Sequence, residues 1–431
     1  MHSEQQIFDY LQQKFGIRFT EQQQAAVQTI DGPVLLLAVP GAGKTTVMVA
    51  RIANMIFCHG IDPSAILTIT FSKAGAQDMR RRYEGLFAAP SHQQGKALPQ
   101  FCTIHSFCYQ VLGSYCRLTG GVAPALIEPR EREFLSEDLE EELVSNLSLI
   151  KNAMLRQQQV EDGKTIQTQI KNLWKLYQGY SALKKEHKRM DFDDMLGYAL
   201  TVLKRYPPIL QQYRQRYRYL CVDEAQDTSR LQYAVIDLLV QQEQNLFLVG
   251  DEDQSIYRFR GACPENLLEF PSLYPQAKVL KMEENFRSTV EIVRCAQRFI
   301  EGNRQRYQKK MFTNNAQGEP VEVKPLHDFS DQYHAAIDAY LAEEGTTAFI
   351  YRNNLSAVPM ADILDRNDVD FYIKEHKTRL KSNYVVTDVL AFFSLSFDSS
   401  DFDAFSRIFY KTASCLKRNM LSRISTAPLL P

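Results

Sequence analysis

The sequence contains no apolar run that could cross a membrane and no recognisable targeting segment. The run that opens the first predicted strand, residues 34–39, has six residues, whereas a membrane-spanning helix needs roughly 18. The first residues, Met-His-Ser-Glu-Gln-Gln, lack the basic start and apolar stretch of a secretory signal. We therefore expect a soluble, cytoplasmic protein without a membrane partner.

The chain also lacks an excess of charge and a paired cysteine pattern. Lys and Arg number 50 against 51 Asp and Glu, a net charge of −1. Any nucleic-acid surface therefore has to be local rather than a property of the whole molecule. The 8 cysteines form no CxxC pair and have no histidine partner at zinc-finger spacing. We expect reduced, mostly buried thiols and no metal cluster.

The composition is that of an ordinary globular protein, with 45% hydrophobic, 11% aromatic and 23% charged residues. A length of 431 residues suggests about two to four domains. Short apolar segments alternate with longer helical patterns, which is typical of an α/β fold with a parallel sheet covered by helices. The predicted strands are residues 34–39, 66–71, 219–223 and 245–249.

The strand pattern disappears between about residues 111 and 189, which predicts an all-helical module inserted into the α/β domain. Its first part is acidic, because residues 131–142 hold seven carboxylates. The charges of this module are equally consistent with solvent-exposed helix faces and with binding surfaces. Its last part is basic, through Lys171, Lys175, Lys184, Lys185, Lys188 and Arg189.

A turn-rich stretch at residues 313–320 separates the first domain and its exit helix from a new apolar segment. Strands are predicted at residues 321–324 and 347–351, followed by helical patterns to the end. This organisation indicates a second α/β unit of roughly 110 residues, which is short for a complete domain with an inserted module.

The first predicted strand runs directly into a glycine-rich loop, and a helical pattern follows. This order favours a phosphate-binding loop, because glycines let successive N–H groups face a phosphate and the helix N-terminus adds its positive dipole end. Lys44 would reach the β- and γ-phosphates, and Thr45 would hold Mg²⁺. The strict pattern has glycine where this chain has Ala38. The loop consists of Pro40, Gly41, Ala42, Gly43, Lys44, Thr45 and Thr46.

A pair of acids follows the strand at residues 219–222. Asp223 can position Mg²⁺, and Glu224 can polarise an attacking water. Adjacent carboxylates alone are more often a helix cap or a solvated turn. Together with Lys44, however, they predict nucleoside triphosphate hydrolysis.

Eight segments that include these motifs occur in a fixed order, and those around Asp223 and Gln254 are the most specific. They are residues 19–27, 38–46, 68–72, 103–107, 191–194, 222–228, 249–262 and 284–289. This series resembles the motifs of superfamily 1 DNA helicases of the UvrD, Rep and PcrA type, over about residues 15–390. The resemblance implies a RecA-like P-loop fold that uses ATP and Mg²⁺ and moves 3′ to 5′ on single-stranded DNA.

The resemblance implies nucleotide contacts outside the phosphate loop. Gln23 would read the adenine edge, and Phe286, where the family usually has tyrosine, would stack on the base. Arg287 would act as an arginine finger on the γ-phosphate. Gln254 would sense the γ-phosphate and pass its presence to the DNA side.

The same resemblance implies aromatic platforms on which DNA bases stack. Without it, Phe71 at a strand end and Phe192 at a helix start would be interpreted as core residues. Phe259 stands where the family has tryptophan. The implied DNA-binding residues are Phe71, Thr103, His105, Phe192, Tyr257, Phe259 and Arg260.

The chain departs from the family pattern at two places. Residues 73–76 read Lys-Ala-Gly-Ala, where Asn-Lys-Ala-Ala is typical. Residues 390–431 contain neither the T-x-H-x-x-K-G-L motif nor the T-R-A motif of the second RecA-like domain. We therefore expect that domain to be incomplete, with a second arginine finger and some DNA contacts missing.

The expected organisation has four parts. Residues 1–110 and 190–285 form a first RecA-like ATP-binding domain, and residues 111–189 an inserted helical subdomain. Residues 286–385 begin a second RecA-like domain, and residues 386–431 begin a truncated second helical insertion. The expected function is an ATP-dependent DNA helicase acting on single-stranded DNA and its junctions with duplex, with a second polypeptide or a loading protein as partner. The alternative is a non-hydrolysing ATP- and DNA-binding fragment or remnant.

Overall fold

The computed structural model describes residues 3–87, 98–127, 137–168, 170–328, 330–342, 345–352, 356–373 and 384–411. The chain forms two compact units, Met1–Val321 and Glu322–Pro431. Residues 131–136 of the predicted acidic stretch lie outside the described residues, as does the end of the chain from residue 412. No described helix is both long and apolar enough to cross a membrane.

A six-stranded parallel sheet forms the centre of the first unit, in the order β3-β2-β6-β7-β1-β8. The four predicted strands are confirmed to within one residue at each end. The strands are β1 Val34–Ala38, β2 Ile66–Thr70, β3 Gln100–Thr103, β6 Tyr219–Val222, β7 Leu246–Gly250 and β8 Lys278–Met282, and a separate pair is β4 Ala125–Leu126 and β5 Arg189–Met190. The sequence did not predict β3 and β8, which lie at the two edges of the sheet, where fewer residues are buried.

Helices cover both faces of this sheet, as β1 illustrates. Val34, Leu36 and Ala38 pack into one apolar core, whereas Leu35 and Leu37 pack into the other. Successive side chains of a strand point to opposite faces, so a run of five buried apolar residues places a strand between two helical layers. The mixed α/β fold with a parallel sheet is therefore confirmed.

The helices of the first unit lie between and after these strands. They are α1 Glu4–Phe15, α2 Glu21–Gln28, α3 Lys44–Phe57, α4 Lys73–Phe87, α5 Ile104–Thr119, α6 Glu137–Asn152, α7 Gln157–Glu161, α8 Leu173–Glu186, α9 Phe192–Arg205, α10 Pro207–Arg216, α11 Arg230–Val240, α12 Glu265–Leu268, α13 Phe270–Leu273 and α14 Val290–Ile300.

The inserted region is mainly helical and has its own small core. Leu147, Ile150, Val160 and Leu173 from α6, α7 and α8 are buried together, with Trp174 packed against them. The prediction that strands are absent here was wrong in one detail, because β4 pairs with β5 in parallel. Two residues per strand are too few to give an alternating pattern in the sequence.

The described residues of the second unit contain helices and irregular segments only. The helices are α15 Asp331–Leu341, α16 Ala357–Arg366, α17 Tyr384–Phe397 and α18 Phe402–Ile408. The strands predicted at residues 321–324 and 347–351 are absent: both segments are irregular, and Val323 and Ile350 are 87% and 94% exposed. An apolar segment becomes a strand only by pairing, and neither segment pairs with a neighbour in the described part of the chain.

Candidate functional site

The predicted site residues follow the carboxyl ends of neighbouring strands. Pro40 comes shortly after β1, Phe71 directly after β2, Asp223 directly after β6 and Asp251 directly after β7. Because all strands of the sheet run in parallel, these loops meet at one edge. In open α/β sheets this edge is where ligands bind.

Two glycines of the loop have a left-handed backbone conformation. Gly41 and Gly43 have φ angles of 73° and 81°, values that side-chain-bearing residues seldom adopt. Gly43 is also the N-cap of α3, whose first residue is Lys44. Ala38 lies inside β1 and pairs with Met282, so the missing glycine at that position does not disturb the loop.

Gly41 is also required because another segment approaches it closely. A Cβ at Gly41 would lie 2.9 Å from Asn285 Nδ2 and 2.9 Å from Arg287 Cβ. Asn285 Nδ2 donates to the Pro40 carbonyl at 2.8 Å, and the Phe286 N–H donates to the Gly41 carbonyl at 3.1 Å. The structure therefore brings Phe286 and Arg287 against the loop. Sequence reasoning gave Asn285 no role, although it lies in the motif that contains both residues.

Gln23 reaches the same loop from α2. Its Nε2 donates to the Ala42 carbonyl at 3.0 Å, and its Oε1 accepts from the Thr20 N–H at 3.0 Å. Gln23 is buried. In this arrangement the amide braces the phosphate loop, so reading an adenine edge would require it to exchange these partners.

Lys44 and the acid pair lie together. Lys44 Nζ forms an ion pair with Glu224 Oε2 at 2.9 Å, and Gln226 Nε2 donates to the same oxygen at 2.9 Å. Burial alone would raise the pKa of Glu224, but Lys44 and Gln226 outweigh it and lower the pKa. Glu224 has a φ of 50°, a left-handed conformation that is strained outside glycine and is frequent at functional sites.

The carboxylate of Asp223 is partly buried beside Glu224. Its Oδ1 is buried without a hydrogen-bond partner among the described residues. Burial and the neighbouring Glu224 carboxylate raise the pKa of Asp223 to about 6, although Lys44 partly opposes them. Carboxylate and hydroxyl oxygens suit Mg²⁺, so Asp223 and Thr45 at the start of α3 fit the predicted metal role.

Gln254 ends the 3₁₀ turn Glu252–Gln254 that follows β7. Its Nε2 donates to Asp251 Oδ2 at 2.7 Å. The Asp251 N–H donates to Gln226 Oε1 at 3.1 Å. Gln226 therefore contacts both Glu224 and the turn that carries Gln254, a connection that sequence reasoning did not identify.

Most of the predicted DNA-binding residues converge on one groove of about 580 Å³. Phe71 and Tyr257 stack with ring centroids 5.3 Å apart, and the Arg260 guanidinium lies 5.4 Å from the centroids of both Tyr257 and Phe259. Phe71 and Phe259 are 45% and 58% exposed, so they are not core residues. The lining side chains include Phe71, His105, Asp193, Tyr257, Phe259 and Arg260.

The remaining predicted residues lie beside this groove. Phe192 is 52% exposed and contacts His105 edge-on, at 6.0 Å between ring centroids. Burial lowers the pKa of His105, an effect that Asp193 partly opposes. Thr103 is buried and its hydroxyl caps α5 by accepting from the Ser106 N–H, so the structure does not bring Thr103 to the groove wall.

Buried ion pairs fix the start of α9, where Phe192 lies. Lys151 Nζ lies 2.6 Å from Asp191 Oδ2 and 2.7 Å from Asp194 Oδ1, and Lys184 contacts the same two carboxylates. Burial alone would raise the pKa of Asp191, but the two lysines outweigh it and lower the pKa. Lys184, predicted on a basic face, is therefore buried and structural rather than solvated.

Comparisons with known proteins agree with this geometry. Residues 19–275 match the profile of the UvrD/REP helicase N-terminal domain, and residues 280–428 match that of the UvrD-like helicase C-terminal domain. The first match includes every loop described above except the one that carries Phe286 and Arg287.

Curated relatives cover most of this chain. An ATP-dependent DNA helicase PcrA of Bacillus subtilis is 30% identical over 410 residues, 90% of this chain and 54% of the relative. A PcrA of Staphylococcus epidermidis is 27% identical over 407 residues, 90% of this chain and 55% of the relative. A putative ATP-dependent DNA helicase, YjcD of Bacillus subtilis, is 29% identical over 410 residues, 90% of this chain and 53% of the relative. The chain thus spans about half the length of the curated relatives that it matches. From the matched profiles and the loops at the sheet edge together, the chain belongs to the UvrD/REP helicase family.

Proposed function

We propose that this chain binds Mg·ATP and single-stranded DNA and couples ATP hydrolysis to movement along DNA, as an ATP-dependent DNA helicase or translocase. One observation carries the proposal: a cavity of about 140 Å³ is lined by Asp223 and Glu224 and also by Phe71 and His105. The acid pair and the aromatic groove thus share a wall. A conformational change at the acid pair can therefore be transmitted to the aromatic groove through the residues that line this cavity.

On the nucleotide side, the proposed roles belong to residues of the glycine loop and of the acid pair. Lys44 offers its ammonium to the β- and γ-phosphates, and the loop N–H groups of residues 41–45 surround them. Glu224 accepts a proton from the attacking water. Bound Mg²⁺ would supply charge neutralisation on the phosphate oxygens, held by Thr45 and Asp223.

Arg287 and Gln254 would complete the nucleotide site. Arg287 lies beside Gly41 and can place a guanidinium on the γ-phosphate. Gln254 lies on the loop that continues to Tyr257, Phe259 and Arg260. A γ-phosphate that moves Gln254 would therefore shift the aromatic groove through a few residues of continuous backbone.

On the DNA side, exposed rings next to Arg260 suit the stacking of successive bases, which tolerates any sequence. Arg260 adds a local positive charge for the DNA phosphates. The chain as a whole has a net charge of −1 and provides no general attraction for them. We propose single-stranded DNA and its junctions with duplex as the substrate, movement 3′ to 5′, and a second polypeptide or a loading protein as partner.

Steady-state ATP hydrolysis tests this function. We expect the rate to rise severalfold or more with oligothymidylate and to respond little to blunt duplex of the same length. The oligothymidylate concentration that gives half-maximal rate should increase with salt, because phosphate contacts release counterions. Equal rates with and without oligothymidylate would contradict the proposal and favour a DNA- and ATP-binding fragment that does not couple the two.

Direction is tested with biotinylated oligonucleotides that carry streptavidin at one end. Movement 3′ to 5′ predicts ATP-dependent displacement of streptavidin from the 5′ end, and slow displacement from the 3′ end. Faster displacement from the 3′ end would reverse the proposed polarity. Loss of streptavidin at the same rate without ATP would exclude active movement.

Replacing an exposed groove ring is expected to weaken DNA binding without affecting the nucleotide. Phe259→Ala and Phe192→Ala should each weaken oligothymidylate binding by about 1–3 kcal/mol, the usual value of one stacked base, measured by fluorescence anisotropy. Phe397→Ala removes a ring that is also exposed and serves as the matched control. A parallel loss of ATP affinity in Phe259→Ala would mean that the ring supports the fold rather than DNA.

A further inference from the structure

Three consecutive acids follow β7 and lie unusually close together. One carboxylate oxygen from each of Asp251, Glu252 and Asp253 lies within 4.8 Å of the others. Asp251 and Glu252 are almost entirely buried. Neighbouring carboxylates in a buried place cannot all remain ionised unless cations compensate them.

Lys309 provides that compensation from a distant part of the chain. Its Nζ lies 2.5 Å from Asp251 Oδ1, 2.8 Å from Glu252 Oε2 and 3.1 Å from Asp253 Oδ2. The ammonium donates a hydrogen bond to Asp251 and forms ion pairs with Glu252 and Asp253. Lys309 is only 5% exposed. The ammonium thus occupies the place where these acids could otherwise hold a metal ion.

Neighbours of Lys309 reinforce the same contact. Arg306 Nη2 lies 2.7 Å from Asp253 Oδ2, and the Tyr307 N–H donates to Glu252 Oε1 at 2.7 Å. Burial alone would lower the pKa of Lys309, but Asp251 and Glu252 outweigh it and raise the pKa. Lys309 is therefore charged at neutral pH. No helicase motif discussed above includes residues 306–309.

Asp251 links Lys309 to the nucleotide site. One of its oxygens contacts Lys309, and the other accepts from Gln254 Nε2 at 2.7 Å. The Asp251 N–H donates to Gln226, whose Nε2 donates to Glu224. The Lys309 ammonium thus fixes the Asp251 carboxylate, which in turn orients Gln254.

We propose that Lys309 is a positioning residue for Gln254: it holds the 251–254 turn through Asp251, so that Gln254 is ready for the γ-phosphate. This proposal rests on the function proposed above for Gln254. The contact of Lys309 with Asp251 also connects Arg287 with Gln254, because Lys309 lies at the end of the segment that starts at Arg287 and includes α14. Arg287 and Gln254, the two residues proposed to contact the γ-phosphate, are then linked through the segment 287–309 and Asp251.

Hydrogen exchange tests the positioning without any activity. In the full chain without nucleotide or DNA, we expect Lys309→Met to speed amide exchange of residues 251–255 at least about tenfold, because their turn loses its anchor. Exchange of residues 44–57 in α3 should not change. Lys310→Met, which removes an adjacent but exposed ammonium, is the control. Unchanged exchange at residues 251–255 in Lys309→Met would overturn the proposal.

A double-mutant cycle tests the connection to Gln254. We expect Lys309→Met to lower the DNA-stimulated kcat at least about tenfold with little change in the KM for ATP, and to have no further effect in the Gln254→Ala background. Equal effects of Lys309→Met in both backgrounds would mean a purely structural role and overturn the proposal. Absence of DNA stimulation in the unsubstituted chain would instead contradict the proposed function, and the exchange result would still decide the positioning.

The exchange experiment also has a second form. If Lys309→Met does not fold, Lys309→Met combined with Glu252→Gln removes one of the uncompensated carboxylates and leaves Asp251 and Gln254 in place. The expectation for residues 251–255 is the same. Slow exchange in this double variant would overturn the proposal as well.

Discussion

Lys44→Ala is expected to lower DNA-stimulated ATP hydrolysis by at least about 100-fold. Removing one preorganised charge from a site where negative charge develops commonly costs a factor of this size. Because Lys44 would contact the phosphates before and during reaction, both kcat and ATP affinity should fall. Malachite-green detection of phosphate measures the rate, and calorimetry measures the affinity.

The control for Lys44 is Lys204→Ala, which removes an exposed lysine in the last turn of α9. Its rate should equal that of the unsubstituted chain. Lys44→Ala should unfold at a similar temperature, since its ammonium contacts Glu224 and not the apolar core. Hydrolysis that survives in Lys44→Ala would contradict the proposed phosphate loop.

Glu224→Gln is expected to stop hydrolysis while ATP still binds. The amide keeps the size and can keep the contact with Gln226 but cannot accept a proton, and loss of a general base commonly costs about 10²–10⁴-fold. The effect should therefore fall on kcat, with the dissociation constant for Mg·ATP nearly unchanged. This separates Glu224 from Lys44, for which both quantities change.

Glu243→Gln, an exposed substitution of the same type after α11, is the control for Glu224. It should leave both quantities unchanged. A Glu224→Gln chain that hydrolyses ATP normally would show that another group activates the water. A chain that also fails to bind ATP would indicate that Glu224 mainly supports Lys44 through their 2.9 Å ion pair.

The sequence predicted the parts of the site that depend on local spacing. The strand, glycine loop and helix around Lys44 are contiguous, and the strand that ends at Asp223 is a short buried run, so pattern and residue type were sufficient. Phe71 was predicted by resemblance alone, since a phenylalanine at a strand end is usually buried. Its 45% exposure and its stacking on Tyr257 could not be derived from neighbouring residues.

Contacts between distant segments were not predictable in the same way. Asn285 reaches Pro40 across 245 positions, and Lys309 reaches Asp251 across 58. A lysine in the sequence is more often solvated than buried, so nothing local marked Lys184 or Lys309 as structural. The strand predicted at residues 347–351 failed for a related reason, because an apolar pattern does not specify a pairing neighbour.

Titration calorimetry of Glu224→Gln with Mg·ATP, in the absence and presence of saturating oligothymidylate, tests the central claim most directly. The proposed site predicts one ATP bound per chain. The shared wall between acid pair and groove predicts that oligothymidylate changes the ATP affinity by about five- to 150-fold. ATP should change the oligothymidylate affinity by the same factor. No heat of ATP binding in either this variant or the unsubstituted chain would contradict the nucleotide site itself. Equal ATP affinities with and without oligothymidylate would contradict the coupling.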